Sequence, residues 1–148
     1  MSINRNIEYY LSVNSDYAAL DSIRQFIDHH AKAFGFKKNE ASELALAADE
    51  ACTNLIKHAY KFDKNKTIDI SISSEQEQVF SIIIEDSAEP FDIADSPKVN
   101  INSYIKAMKP GGLGVHIIKA VIDVIHYKPA SKKNGKNRLI LKKYLSRK

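Results

Sequence analysis

The chain has 148 residues, 44% of them hydrophobic and 27% charged, with a formal net charge of +4 and a single cysteine. That length suits one domain spanning 1–148, large enough to bury a core without disulfides or metals. One cysteine excludes a disulfide framework within the chain and a thiolate metal site, and the apolar runs are too short to span a bilayer. Read with the lack of a basic-then-apolar leader pattern, these features point to the cytoplasm.

In chain order, Asn6 to Val13 is β-branched and aromatic with partial alternation, which predicts a strand. Asn14, Ser15 and Asp16 follow as helix-capping side chains. From Tyr17 to Phe34 apolar residues recur at helical spacing, and Gly35 marks the end of that helix. His29 and His30 read as part of its solvated face. Asn39 can cap a second helix that carries the stretch ELALAADEACTNLIKHAY, Glu43 to Tyr60. Its Glu50, Asn54 and His58 are spaced by four, each about 40° further round the helix, and so form one polar stripe. Leu44, Ala48, Ala51, Cys52, Leu55 and Ala59 make the neighbouring apolar face, where Cys52 reads as a packed thiol. A carboxylate can accept a proton, and a carboxamide oxygen suits a hard cation such as Mg²⁺.

Thr67 to Ser73 alternates isoleucine with polar residues, and Val79 to Glu85 is a more continuous apolar run; the short polar link between them predicts an antiparallel hairpin. From Ser87 to Pro110 the chain is mostly irregular, with one short helical candidate near Ile101 to Met108, a length that marks functional lids or disorder. Gly111-Gly112-Leu113-Gly114 then opens a helix from about Val115 to Val124. Two more strands, near Ile125 to Pro129 and Asn137 to Leu145, complete the chain. The order predicts an α+β fold: a two-layer α/β sandwich with a mostly antiparallel mixed sheet covered on one face by three helices.

Much of the positive charge sits late, at Lys132, Lys133, Lys136, Arg138, Lys142, Lys143, Arg147 and Lys148. No aromatic interleaving or nucleic-acid motif accompanies it, so it reads as a solvated strand edge and tail, or as a basic rim for an acidic protein partner, and not as a direct nucleic-acid surface. The glycine cluster can bring backbone N–H groups close to a phosphate at a helix start. It lacks the Walker A lysine and does not immediately follow a strand as a Rossmann turn does. Asp86, ending an apolar strand, can either accept a hydrogen bond such as that of an adenine amine or simply start a turn.

Taken together and in this order, three segments resemble the Bergerat-fold ATPases, the GHKL superfamily. Glu50-x3-Asn54-x3-His58-Ala59-Tyr60 resembles the N-box, Glu85 to Asp92 (EDSAEPFD) the box after the central strand, and Gly111-Gly112-Leu113-Gly114-Val115 the second glycine box. The spellings DEAxxNxxxHAY, PFD and GGLGVHII resemble more narrowly the anti-sigma-factor serine kinases. The resemblance implies a Bergerat-type sandwich with an ATP lid over approximately 87–114. It implies Glu50 as general base, Asn54 as Mg²⁺ ligand, and Asp86 as partner of the adenine amine. Ala88 then lies beside the base, while Gly112, Leu113, Gly114 and Val115 lie against the phosphates, with Lys106 and Lys109 as lid cations. His58 matches a family-typical position, with a structural hydrogen bond at the helix end as its expected role.

The family pattern has glycine where this chain has Ala88. The implied function is an ATP- and Mg²⁺-dependent serine/threonine protein kinase that phosphorylates an antagonist protein and binds a sigma factor or similar target. Family resemblance also implies a homodimer. The alternative is a partner-binding module with a degenerate ATP site, which Ala88 would mark. A sensor histidine kinase is disfavoured because no dimerisation segment with a phospho-acceptor histidine precedes the ATPase region.

Overall fold

Isoleucine at every second position makes Thr67–Glu75 (β2) a strand with one apolar face, and Ile68, Ile70 and Ile72 are buried there. β2 pairs antiparallel with Asn6–Asn14 (β1) on one side and Val79–Asp86 (β3) on the other, so the expected hairpin is present. The computed structural model describes residues 6–75, 78–88, 113–131 and 135–145. Asn137–Tyr144 (β5) pairs with β3, and Val124–Lys128 (β4) pairs with β5 at the far edge. The sheet order is β1-β2-β3-β5-β4, and all four pairings are antiparallel. The sheet expected to be mixed therefore has no parallel pair among the described residues. The helical excursion after β1 returns the chain to its neighbour β2, whereas the one after β3 leads to the edge strand β4, with β5 lying between them.

Leu20–Phe34 (α1) is preceded by a 3-10 turn at Tyr17–Ala19, whose Ala18 N–H is capped by the Asp16 carboxylate at 3.1 Å. Gly35 ends α1 at φ 127°, donating to the Ala31 and Lys32 carbonyls. Lys38–Asn54 (α2) begins earlier than Asn39 capping would place it. Lys37 is the cap residue, and its N–H donates to the Glu40 carboxylate at 2.9 Å. Leu113–Val121 (α3) ends three residues before the expected Val124. There the Asp123 N–H goes to the Lys142 carbonyl and its carboxylate accepts the Tyr144 N–H, so the chain is already joining the sheet.

The three helices share one core with one face of the sheet. Ile23 and Ile27 of α1, Leu44, Ala48 and Cys52 of α2, and Ile118 of α3 pack with Ile70, Ile82, Ile84 and Leu141. The opposite face carries charge in cross-strand pairs. Arg138 Nε and Nη2 donate to Glu85 at 3.1 and 3.0 Å, and Asp69 receives the Lys136 ammonium and the Ser12 hydroxyl. Two cations of the late basic cluster, Lys136 and Arg138, are thus committed to pairs on the sheet. His30, expected on a solvated face, is half-buried and stacked on Tyr9 at 3.9 Å between ring centres, because the first strand passes over that end of α1.

Candidate active site

The register of the sheet assembles one end of the site. Asp86 lies opposite Ile68 on one side and Asn137 on the other, all on the face turned toward the helices. An anion held there needs donors, and Asp86 Oδ1 receives two: the Ala88 N–H and the Asn137 Nδ2, each at 2.9 Å. The same Asn137 amide donates to the Ala88 carbonyl at 2.8 Å, and its own oxygen accepts the Ala130 N–H at 2.7 Å. Asp86 is 6% exposed, and its Oδ2 has no hydrogen-bond partner among the described residues. Burial pushes the Asp86 carboxyl above the ordinary carboxylate range, against the pull of the Asn137 and Ala88 donors. A buried oxygen with spare acceptor capacity suits an amine of a bound heterocycle.

Ala88 is buried, and the non-glycine residues at positive φ among those described are Lys61 (50°) and Phe62 (65°). Its backbone therefore does not use the conformation for which glycine is needed, and its methyl carries no backbone strain.

α2 supplies the second part. Glu50 and Asn54 are both half-buried, and the Asn54 Nδ2 donates to the Glu50 carbonyl at 2.9 Å. That bond turns the carboxamide so that its oxygen is left without a partner among the described residues, as a ligand for a hard cation requires. The donor set fits Mg²⁺ held through one protein oxygen, substrate phosphates and water. Among the described residues no cluster of histidines, cysteines and carboxylates could hold a metal by itself.

His58 does not continue the stripe. At Leu55–Ala59 the helix widens into a π turn, with Tyr60 N–H reaching the Leu55 carbonyl at 2.7 Å. The wider turn breaks the four-residue register, and His58 is exposed, with no hydrogen bond among the described residues. The helix-end hydrogen bond expected of it belongs instead to its neighbour Tyr60. That hydroxyl donates to the Thr67 carbonyl at 2.8 Å and accepts the Ser87 N–H at 2.7 Å, fastening the end of α2 beside Asp86. Cys52 is fully buried as expected, and burial, with Asp49 and Asp86 nearby, raises its thiol far above the usual range.

The third part is the first turn of α3. Leu113, Gly114 and Val115 lie in it, and the first N–H groups of a helix have no partner within the helix. Gly111, Gly112, Lys106, Lys109 and the helical candidate at Ile101 to Met108 lie outside the described residues, as does most of the expected lid, 89–112. Asn137 and Tyr60 are the site residues that sequence reasoning missed as such. Tyr60 stood inside the recognised motif; for Asn137 the signal was a buried polar residue at the start of a strand, informative only once that strand's partner is known.

A cleft of about 440 Å³ lies between α1 and α2 and includes none of these residues. No helix among the described residues is long and apolar enough to cross a membrane.

The family model for the histidine kinase-like ATPase domain matches residues 13–143. A serine-protein kinase RsbW of Bacillus subtilis is 27% identical over 124 residues, covering 80% of this chain and 75% of the relative. Its counterpart in Bacillus licheniformis is 31% identical over 110 residues, covering 70% of this chain and 67% of the relative. Among solved structures, the RsbU and RsbW domains of Rv1364c from Mycobacterium tuberculosis superpose with a TM-score of 0.62 at 14% identity. The match covers 95% of this chain and 34% of that one, so this chain spans about a third of the solved protein. The SiaB–SiaC complex from Pseudomonas aeruginosa gives 0.61 at 13% identity, covering 94% and 91%. At such identities the structural likeness bears on the fold alone.

Proposed function

The chain belongs to the histidine kinase-like ATPase family, and on that premise we propose that it is a serine/threonine protein kinase of the anti-sigma type, using ATP with Mg²⁺. The observation that carries this reading is Asp86, buried and fixed by two donors on one oxygen, with the other without a partner among the described residues. It stands in a family whose relatives here are serine-protein kinases.

Phosphoryl transfer asks mainly for positioning and charge neutralisation. Asp86 Oδ2 accepts from the adenine amine. Asn54 offers its carboxamide oxygen to the cation, and the first-turn N–H groups of α3 are the donors for the phosphates. Magnesium, when bound, neutralises phosphate charge as it moves to the leaving group. Glu50 takes the proton of a seryl or threonyl hydroxyl on the protein substrate as the hydroxyl oxygen bonds to the γ-phosphorus. The bond from that phosphorus to the bridging oxygen breaks, and ADP departs. The substrate in this reading is a small antagonist protein, and the second partner a sigma factor or similar target bound by a homodimer of this chain.

The alternative, a partner-binding module with a degenerate ATP site, rested on Ala88. Its place outside the positive-φ residues supports a working site instead.

The test is titration with a fluorescent ATP analogue, with and without Mg²⁺, for the wild type, Asn54→Ala and Glu50→Gln. The wild type should bind saturably with Mg²⁺, Asn54→Ala should lose the Mg²⁺-dependent part, and Glu50→Gln should still bind. With an antagonist substrate, Glu50→Gln should transfer phosphate about 10²-fold or more slowly. No wild-type binding at millimolar nucleotide would sink the kinase reading.

A further inference from the structure

Asn137 sits at the start of β5, 1% exposed, with both ends of its carboxamide engaged. Its oxygen is held by the Ala130 N–H, which fixes which end of the amide faces the site. Its nitrogen divides between Asp86 Oδ1 and the Ala88 carbonyl. Two stretches therefore meet on one side chain: the β4–β5 connection at Ala130, and the end of β3 from Asp86 to Ala88.

We infer that Asn137 is a positioning and specificity-determining residue for the nucleotide base, fixing Asp86 so that a single anionic oxygen faces the ligand and selecting 6-amino over 6-oxo purines. This rests on the proposed nucleotide site. The alternative behaviour of an isolated buried carboxyl makes the point. Without donors, burial favours the protonated form, and a neutral carboxyl can present its O–H or rotate to present its carbonyl. It could then donate to the 6-oxo group of hypoxanthine as readily as accept from the amine of adenine. Two N–H donors on Oδ1 hold the charge, prevent the rotation and leave Oδ2 an acceptor. A 6-oxo purine then meets acceptor against acceptor, which a site built for a donor rejects strongly. The Ala88 N–H alone, contributed by a two-residue turn, fixes only the near side of Asp86. Asn137 reaches the same oxygen from the neighbouring strand, and its second bond holds the Ala88 carbonyl as well.

The experiment displaces a fluorescent ATP analogue with ATP, inosine triphosphate and purine riboside triphosphate, which lacks any 6-substituent. It uses the wild type, Asn137→Asp and Asn137→Ala. Asn137→Asp keeps the shape and the acceptor for Ala130 but turns an oxygen toward Asp86. The wild type should rank ATP first, purine riboside triphosphate second and inosine triphosphate last. Both variants should lose about tenfold or more in ATP affinity, and their preference for ATP over inosine triphosphate should shrink toward unity. A merely structural residue would weaken all three nucleotides alike. Variants that melt cooperatively and keep the wild-type ratios overturn the inference while leaving the nucleotide site intact. Should neither variant fold, Asn137→Ser takes their place, since its shorter side chain cannot span both Asp86 and Ala88: a shrunken preference for ATP over inosine triphosphate supports the inference, and the wild-type ratio overturns it. A wild type that binds no ATP removes the nucleotide reading and this inference with it.

Discussion

A single hydroxyl joins the recognised motif that ends at Tyr60 to the end of β3 at Asp86. Tyr60 is 5% exposed, yet its oxygen both donates to Thr67 and accepts from Ser87, the residue after Asp86. Removing that oxygen takes one hydrogen bond from the Thr67 carbonyl and one from the Ser87 N–H, both on exposed residues that water can reach, so the cost is close to the net worth of the bonds themselves. Tyr60→Phe should therefore lose about 1 kcal/mol of stability. Because the Ser87 N–H is adjacent to Asp86, the same variant should also bind ATP more weakly. Chemical denaturation and nucleotide titration on one preparation check both. Unchanged stability would show that water replaces the hydroxyl; unchanged affinity would show that Asp86 does not depend on where Ser87 is held. The neighbouring Cys52 needs no such partner, since a neutral thiol packs as a small apolar group.

At the level of elements, α1 depends on its stop as much as on its apolar face. Gly35 stands at φ 127°, where side chains are strained, and a Cβ added there would lie 3.1 Å from Leu145 Cδ2. Gly35→Ala should cost about 1–3 kcal/mol, observable as a drop of several degrees in melting temperature. A variant melting at the wild-type temperature would mean that the helix end refolds around the methyl. This stop was legible in the sequence, as were the strands and helices of the described residues, because period-2 isoleucines and helical apolar spacing are local signals. What was not legible came from contacts between distant segments. The π turn at Leu55–Ala59 has no compositional mark, so His58 was placed on a stripe that the wider turn breaks. The partnership of Asn137 with Asp86 needs the β3–β5 register, which links positions 51 residues apart. Asp86, Asn54 and Glu50 were readable as candidates because a family spelling marks them; the hydrogen bonds that leave one oxygen of Asp86 and the oxygen of Asn54 without partners among the described residues were not.

Across the whole molecule, two buried carboxyls on opposite faces of the sheet respond to pH with opposite sign. For Asp69, burial alone would raise the carboxyl, but the Lys136 ammonium, the Ser12 hydroxyl and Tyr10 outweigh it and hold it below the ordinary range. A carboxyl lowered on folding stabilises the fold above its unfolded pKa of about 3.9, and that contribution fades as pH falls through the lower folded value. Asp86 is raised, with burial as the main cause. A carboxyl raised on folding stabilises only while protonated, fully below the unfolded value, and that contribution is lost as pH rises through the folded value. At neutral pH the ionised Asp86 is thus a cost to the fold, retained where an acceptor is needed for binding. Acidification should end ATP binding before it unfolds the protein, since Asp86 takes up its proton at higher pH than Asp69 does. Asp86→Asn separates the two roles directly. Its amide oxygen keeps the Ala88 and Asn137 donors, its neutral charge removes the desolvation cost, and its NH₂ presents donors where the adenine amine needs an acceptor. The melting temperature at pH 7 should equal or exceed that of the wild type, while ATP affinity should fall about tenfold or more. A variant that melts lower at neutral pH would show that the Asp86 charge holds the fold together, and that burial is not the governing influence on this residue.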